Sequence, residues 1–152
     1  MRQRIFTLLL LSGVLAFAGV VEKTYYFSAS DIRNTKTAEN YDIVSLNGAM
    51  NTAPAGEPAL PYNAVSLLLP PGEKAESVEL VLSGRKVLEG KFTIYPQQHS
   101  RPYSEGPSGD FVQISDIYNS DSVYPALKHT HLSTHYLYGH SFALSTFTPF
   151  EY

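Results

Sequence analysis

The sequence predicts an all-β protein, an antiparallel β-sandwich preceded by a cleavable leader. Three observations carry this. Short runs rich in β-branched and aromatic residues recur at a spacing of about 8–12 residues, separated by Gly, Pro and Asn turns. Apolar and polar side chains alternate in the clearest of these runs, so that one face is apolar. No stretch has the 3.6-residue apolar period of an amphipathic helix of ten or more residues.

The elements follow in order. "MRQRIFTLLLLSGVLAFAG" has Arg2 and Arg4, an apolar run from Ile5 to about Phe17, then Ala16-Phe17-Ala18. A basic start, an apolar centre and small residues at the end make a signal peptide over 1–18, cut between Ala18 and Gly19. The run is shorter than the roughly 20 residues of a membrane span, and no cysteine follows it to take a lipid. The remainder, 19–152, is long enough for one domain with its own core. "TYYFSAS" (24–30) reads as an aromatic strand. "YDIVSLNG" (41–48) alternates, with Asp42, Val44 and Leu46 on one face, and ends in an Asn47-Gly48 turn.

"AGEPALPYNAVSLLLPPG" (55–72) sets an apolar strand, 63–69, between prolines. Its near-continuous apolar character predicts cover on both faces. Pro58 and Pro61 fix φ and extend the residues before them, and Gly56 permits a turn that a side chain would forbid. Pro70, Pro71 and Gly72 stop the strand and turn it. The bracing keeps register, and register decides which face is buried. "ESVELVLS" (76–83) alternates cleanly and predicts a hairpin with 86–95 across Ser83-Gly84-Arg85, with Gly90 marking a bulge or close approach. The segment 96–110 is Pro- and Gly-rich without periodicity, a surface loop long enough to carry function. Strands are expected near 111–114, 130–138 and 141–149. The aromatic "TFTPFEY" at the end leads to the expectation of a C-terminally truncated domain.

Eleven basic against fourteen acidic side chains leave a net charge of −3. Losing Arg2 and Arg4 with the leader makes the rest more acidic. Without basic clusters, nucleic acid is a poor partner. The chain has no cysteine. It therefore forms no disulfide, has no cysteine nucleophile and offers no thiolate to a metal.

"GEPALP", "SLLLPPG", "EGKFTIYPQQHSRPYSEG", "VYP" at 123–125 and "YLYGHSFALSTFTPFEY", in that order, resemble the propeptide of gingipain-type cysteine peptidases, secreted by Bacteroidota-type bacteria. The likeness runs from about Tyr41 to Tyr152. It implies a β-sandwich between a signal peptide and a caspase-like catalytic domain, which it helps to fold and keeps latent. It implies export to the periplasm, then passage to the surface or medium by the type IX route. No catalytic domain lies in this chain, so the partner peptidase domain is expected from the same precursor.

The resemblance also implies that a loop of the propeptide occupies the specificity pocket. The loop 96–110 offers Arg101 followed by Pro102. An arginine suits a pocket that reads basic residues through a carboxylate. A following proline lacks the N–H and constrains the backbone, which makes the bond a poor substrate. Lys128 is a second basic candidate. His129, His131, His135 and His140 cluster in sequence, but no acid or cysteine stands near to complete a metal set, and no metal or cofactor is expected. A Ser/His/Asp hydrolase lacks its G-x-S-x-G turn. The rival class is a cell-surface adhesion or carbohydrate-binding sandwich, for which eleven tyrosines supply stacking rings.

Overall fold

The computed structural model of the protein describes residues 19–102, 104, 106 and 109–152. Residues 1–18, including Ala18, where a signal peptide is expected, lie outside the described residues; Gly19 begins them, exposed. Among the described residues six strands form two sheets: β1 (Ile32–Lys36) and β2 (Asp42–Leu46) pair with each other, and β3 (Met50–Thr52), β4 (Leu60–Leu68), β5 (Ser133–Leu137) and β6 (His140–Phe147) make a sheet in the order β3-β4-β6-β5. Every ladder is antiparallel. The fold also carries one short helix, α1 (Ser115–Tyr118), and a 3-10 turn at Ala29–Asp31. The fold is all-β.

The alternation of β2 reaches its expected outcome: Asp42, Val44 and Leu46 are buried, with half-buried residues between. Val44 of the two-stranded sheet meets Leu60 of β4 and Ile94 in the core, and Tyr62, Phe92, Tyr124, Phe150 and Tyr152 pack around them. Asn51 ties the two sheets. Its side-chain amide donates to the carbonyls of Val44 (2.7 Å) and Ala59 (3.0 Å). The C-terminal segment belongs to this packing. Tyr124 and Tyr152 exchange two backbone hydrogen bonds of 2.8 Å, and the Tyr118 and Tyr152 rings meet at 5.9 Å.

Several expectations are corrected. Residues 24–28 form no strand, and Ala29–Asp31 is a 3-10 turn instead. There the Asp31 carboxylate accepts from the Ser28 N–H (2.8 Å) and hydroxyl (2.7 Å), a local bond that competes with a ladder. The aromatic character is used otherwise: Tyr25 and Phe27 pack their rings on Phe147. The strand β1 carries no apolar pattern, and its register on β2 alone makes it a strand. Strand β4 begins at Leu60, earlier than expected. It is buried at that end only and alternates with exposed residues from Ala64 onward, so it is not covered on both faces.

The hairpin 76–83/86–95 does not form. Ile94 of its second arm makes an isolated bridge to Asp42, and Pro96, just after the arm, one to Pro58. Alternation specifies which face can be buried but supplies no partner, and here Val78 and Leu82 of the apolar face stay 37% and 44% exposed. The segment is held at Ala75, whose N–H donates to the Thr134 hydroxyl (3.0 Å), and at Arg85, paired with Glu151 at 2.9 Å. Gly90 lies outside any ladder, against the Phe92 ring. Residues 111–114 form no strand either. They lead into α1 while bonding to Gln98 and Gly56.

Candidate functional site

The loop that leaves the core after Pro96 is built on the proline-rich segment. Prolines 58, 61 and 96 are among the most deeply buried side chains of the protein. A proline ring adds apolar surface and brings no N–H that burial would orphan. Pro58 and Pro96 face each other in an antiparallel bridge. Around it, Gly56 N–H donates to Gln97 (2.7 Å), Gln97 N–H to Glu57 (2.8 Å) and Ala59 N–H to Tyr95 (3.0 Å). The same Gly56 takes the Ile114 N–H on its carbonyl at 2.9 Å. Both ends of the loop are therefore bonded to one short stretch.

Gly56 is needed there for two reasons. Its φ is +88°, and a Cβ would stand 2.9 Å from Ile114 Cγ1 and 3.0 Å from Val112 Cγ1. At the far end of β4, Glu73 N–H donates to the Pro70 carbonyl at 3.1 Å, closing a turn over Pro71 and Gly72.

Gln98 joins the two sides of the loop with its side chain. Its Oε1 accepts the Val112 N–H (2.9 Å), and its Nε2 donates to the carbonyls of Val112 (3.0 Å) and Pro96 (2.8 Å). An amide side chain so used reproduces the donor–acceptor pair of a strand neighbour. Beside it, the rings of Tyr41, Tyr95 and Phe111 meet at 5.5–6.0 Å. The Tyr41 hydroxyl donates to Gln113 at 2.6 Å.

Arg101 and Pro102 are exposed on this loop. The Arg101 guanidinium lies directly against Gly109, where a Cβ would overlap it. Tyr95, Gln98, His99, Arg101, Gly109, Asp110 and Phe111 border a cavity of about 180 Å³. Lys128 is placed elsewhere, paired with Glu151, whose other oxygen takes Arg85. The histidines are dispersed. His129 contacts the Thr130 carbonyl, and His135 contacts the Ser133 hydroxyl. Among the described residues no group of three or more His, Cys, Asp or Glu is placed to hold a metal.

Two titratable groups beneath the loop are displaced from their ordinary values. Asp42 is buried at 2% exposure. The Asn34 amide (2.9 Å) and the Thr93 N–H (2.9 Å), with Lys36 at 3.5 Å, hold its carboxyl below the usual range. Burial pushes the Tyr124 phenol up, and its hydrogen bond to Glu57 Oε2 (2.9 Å) adds to this. Sequence reading singled out Arg101, Pro102 and the proline segment; the fold places Arg101 and Pro102 on one loop with Gly56 and Pro58 at its base, and Pro70, Pro71 and Gly72 at the far end of β4. It passed over Gln98, Asn51 and Tyr41, whose partners are distant in sequence. For Asp42, the shared face with Val44 and Leu46 was the available signal.

No family model and no curated protein matches the sequence. Solved structures do. One is a chain of the complex of Porphyromonas gingivalis RgpB pro- and mature domains, with TM-score 0.62 and 23% identity over 80% of this chain and 62% of that one. Another comes from the structure addressing zymogenic latency of gingipain K from the same organism, with TM-score 0.64 and 21% identity over 80% and 69%. The likeness is one of fold. The match leaves more than a third of the RgpB chain without a counterpart.

Proposed function

We propose that this chain is the N-terminal prodomain of a secreted gingipain-like cysteine peptidase. It assists the folding of the downstream catalytic domain and keeps it latent, and it is not itself an enzyme. The observation that supports the reading is the loop on the buried prolines, which presents Arg101-Pro102 at the surface of a fold shared with gingipain pro-domain and zymogen structures. The Arg101 side chain enters the specificity pocket, and Pro102 keeps the bond from being turned over. The leader exports the precursor, and the type IX route then carries it to the surface or medium.

The first test is the reading frame after Tyr152. A caspase-like domain with a His and a Cys nucleophile in frame is expected. A stop codon there, with no such enzyme encoded nearby, overturns the reading. The second test is Arg101→Ala in the isolated chain added to that catalytic domain. The inhibition constant is expected to rise about 30-fold or more, as for loss of an interface hot spot. An unchanged constant removes Arg101 from the role.

A second reading, a carbohydrate-binding module, draws on the hairpin tip, where Tyr136 and Tyr138 are exposed. Loss of glycan affinity in Tyr136→Ala and Tyr138→Ala is its expected signature, and absence of glycan binding by the unaltered chain removes it.

A further inference from the structure

We propose that Gln98 is a positioning residue: its side-chain amide clamps the base of the inhibitory loop and fixes where Arg101 leaves the body of the protein. The proposal rests on the latency reading and adds to it the device that presents the arginine.

The geometry carries it. Gln98 and Val112 are fourteen positions apart, and the amide meets both backbone groups of Val112, at 2.9 Å and 3.0 Å. Its third bond, to the Pro96 carbonyl, anchors the side chain to the buried proline bridge. Arg101 follows three residues later. The bonds of Gly56 to Gln97 and Ile114 hold the chain on either side of the clamp, so the clamp sits at the root of the loop. A loop whose ends are free must be ordered each time it enters a cleft, and that entropy is taken from affinity. A clamp formed beforehand removes the cost. Because Gln98 is half-buried at the margin of the fold and not in its core, it acts on the loop far more than on global stability.

The test compares the full chain with Gln98→Ala and Gln98→Glu by two readouts. The first, amide hydrogen exchange in the free chain, needs no peptidase. Exchange at Val112 is expected to rise at least tenfold in Gln98→Ala, with the thermal midpoint nearly unchanged. Gln98→Glu keeps the acceptor for the Val112 N–H but loses both donated bonds, so it falls between. The second readout is inhibition of the RgpB mature domain and of the chain's own catalytic domain. Gln98→Ala is expected to raise the inhibition constant roughly tenfold, with partial rescue by Gln98→Glu.

Unchanged exchange at Val112 overturns the clamp. Raised exchange with unchanged inhibition, where the unaltered chain inhibits, overturns the positioning role. If the unaltered chain inhibits neither enzyme while exchange responds as expected, the latency reading is what fails. The clamp then remains as a loop device, and its assignment to an inhibitory arginine is withdrawn.

Discussion

The carboxylate of Asp42 accepts from the Asn34 amide and the Thr93 N–H, while its backbone exchanges hydrogen bonds with Thr93 and Tyr95. One residue thus joins β1, β2 and the segment that leads to the loop. Its carboxyl is held below the unfolded value of about 3.9. Its contribution is therefore complete above about pH 4 and is lost as the pH falls through the lowered folded value. Asp42→Asn is expected to flatten the acid limb of the stability curve, measured as the urea midpoint against pH. An unaltered acid limb contradicts the assignment. Gly56 makes a second residue-scale prediction. Gly56→Ala combines a left-handed φ with a collision against Val112 and Ile114 and is expected to cost about 2–4 kcal/mol. Gly48→Ala, at φ +77° in open space, is expected to cost only about 1 kcal/mol. Equal costs in urea unfolding would show that the contact at Gly56 has no weight.

Among the elements, the segment expected to form a hairpin separates pattern from packing. Ile94, at its end, is buried against Val44 and Leu60, whereas Val81 is out in solvent. Ile94→Ala is expected to cost about 2–5 kcal/mol, and Val81→Ser about 0.5 kcal/mol or less. A comparable loss at Val81 would mean that this outward side chain is covered after all. The β5–β6 hairpin turns through Tyr138 and Gly139, both at positive φ. Such two-residue turns favour Asn at the first position, where tyrosine is strained. Tyr138→Asn is expected to stabilise by about 0.5–1 kcal/mol in thermal or urea unfolding. A destabilised variant would show that the exposed ring is held by contacts.

For the molecule as a whole, presentation and stability are divided between two regions. The core joins the sheets through Val44, Leu60 and Ile94 and is closed by Phe150 and Tyr152. The loop with Arg101 stands outside it on the proline base. Arg101→Ala is accordingly expected to leave the thermal midpoint within about 2 °C while weakening inhibition. A large fall in the midpoint would make the arginine a structural residue. Strand β4 separates this base from the Tyr138 tip by its nine residues, roughly 30 Å. The loop and the tip thus face different surroundings.

The sequence by itself determined the all-β class, the buried face of β2, the strands near 130–138 and 141–149, the loop after Pro96 and the special position of Gly56. Each rests on local physics: side-chain period, turn chemistry, or a residue whose φ is restricted or free. Only the tertiary structure decided the rest. The polar β1 is a strand because β2 is beside it, the regular 76–83 run is not a strand because nothing pairs with it, and prolines 58, 61 and 96 are core as well as brace. Gln98 and Asn51 matter through carbonyls and N–H groups that the folded chain brings to them. A single polar side chain carries no period, so its partner is settled only when distant backbone arrives within hydrogen-bond reach.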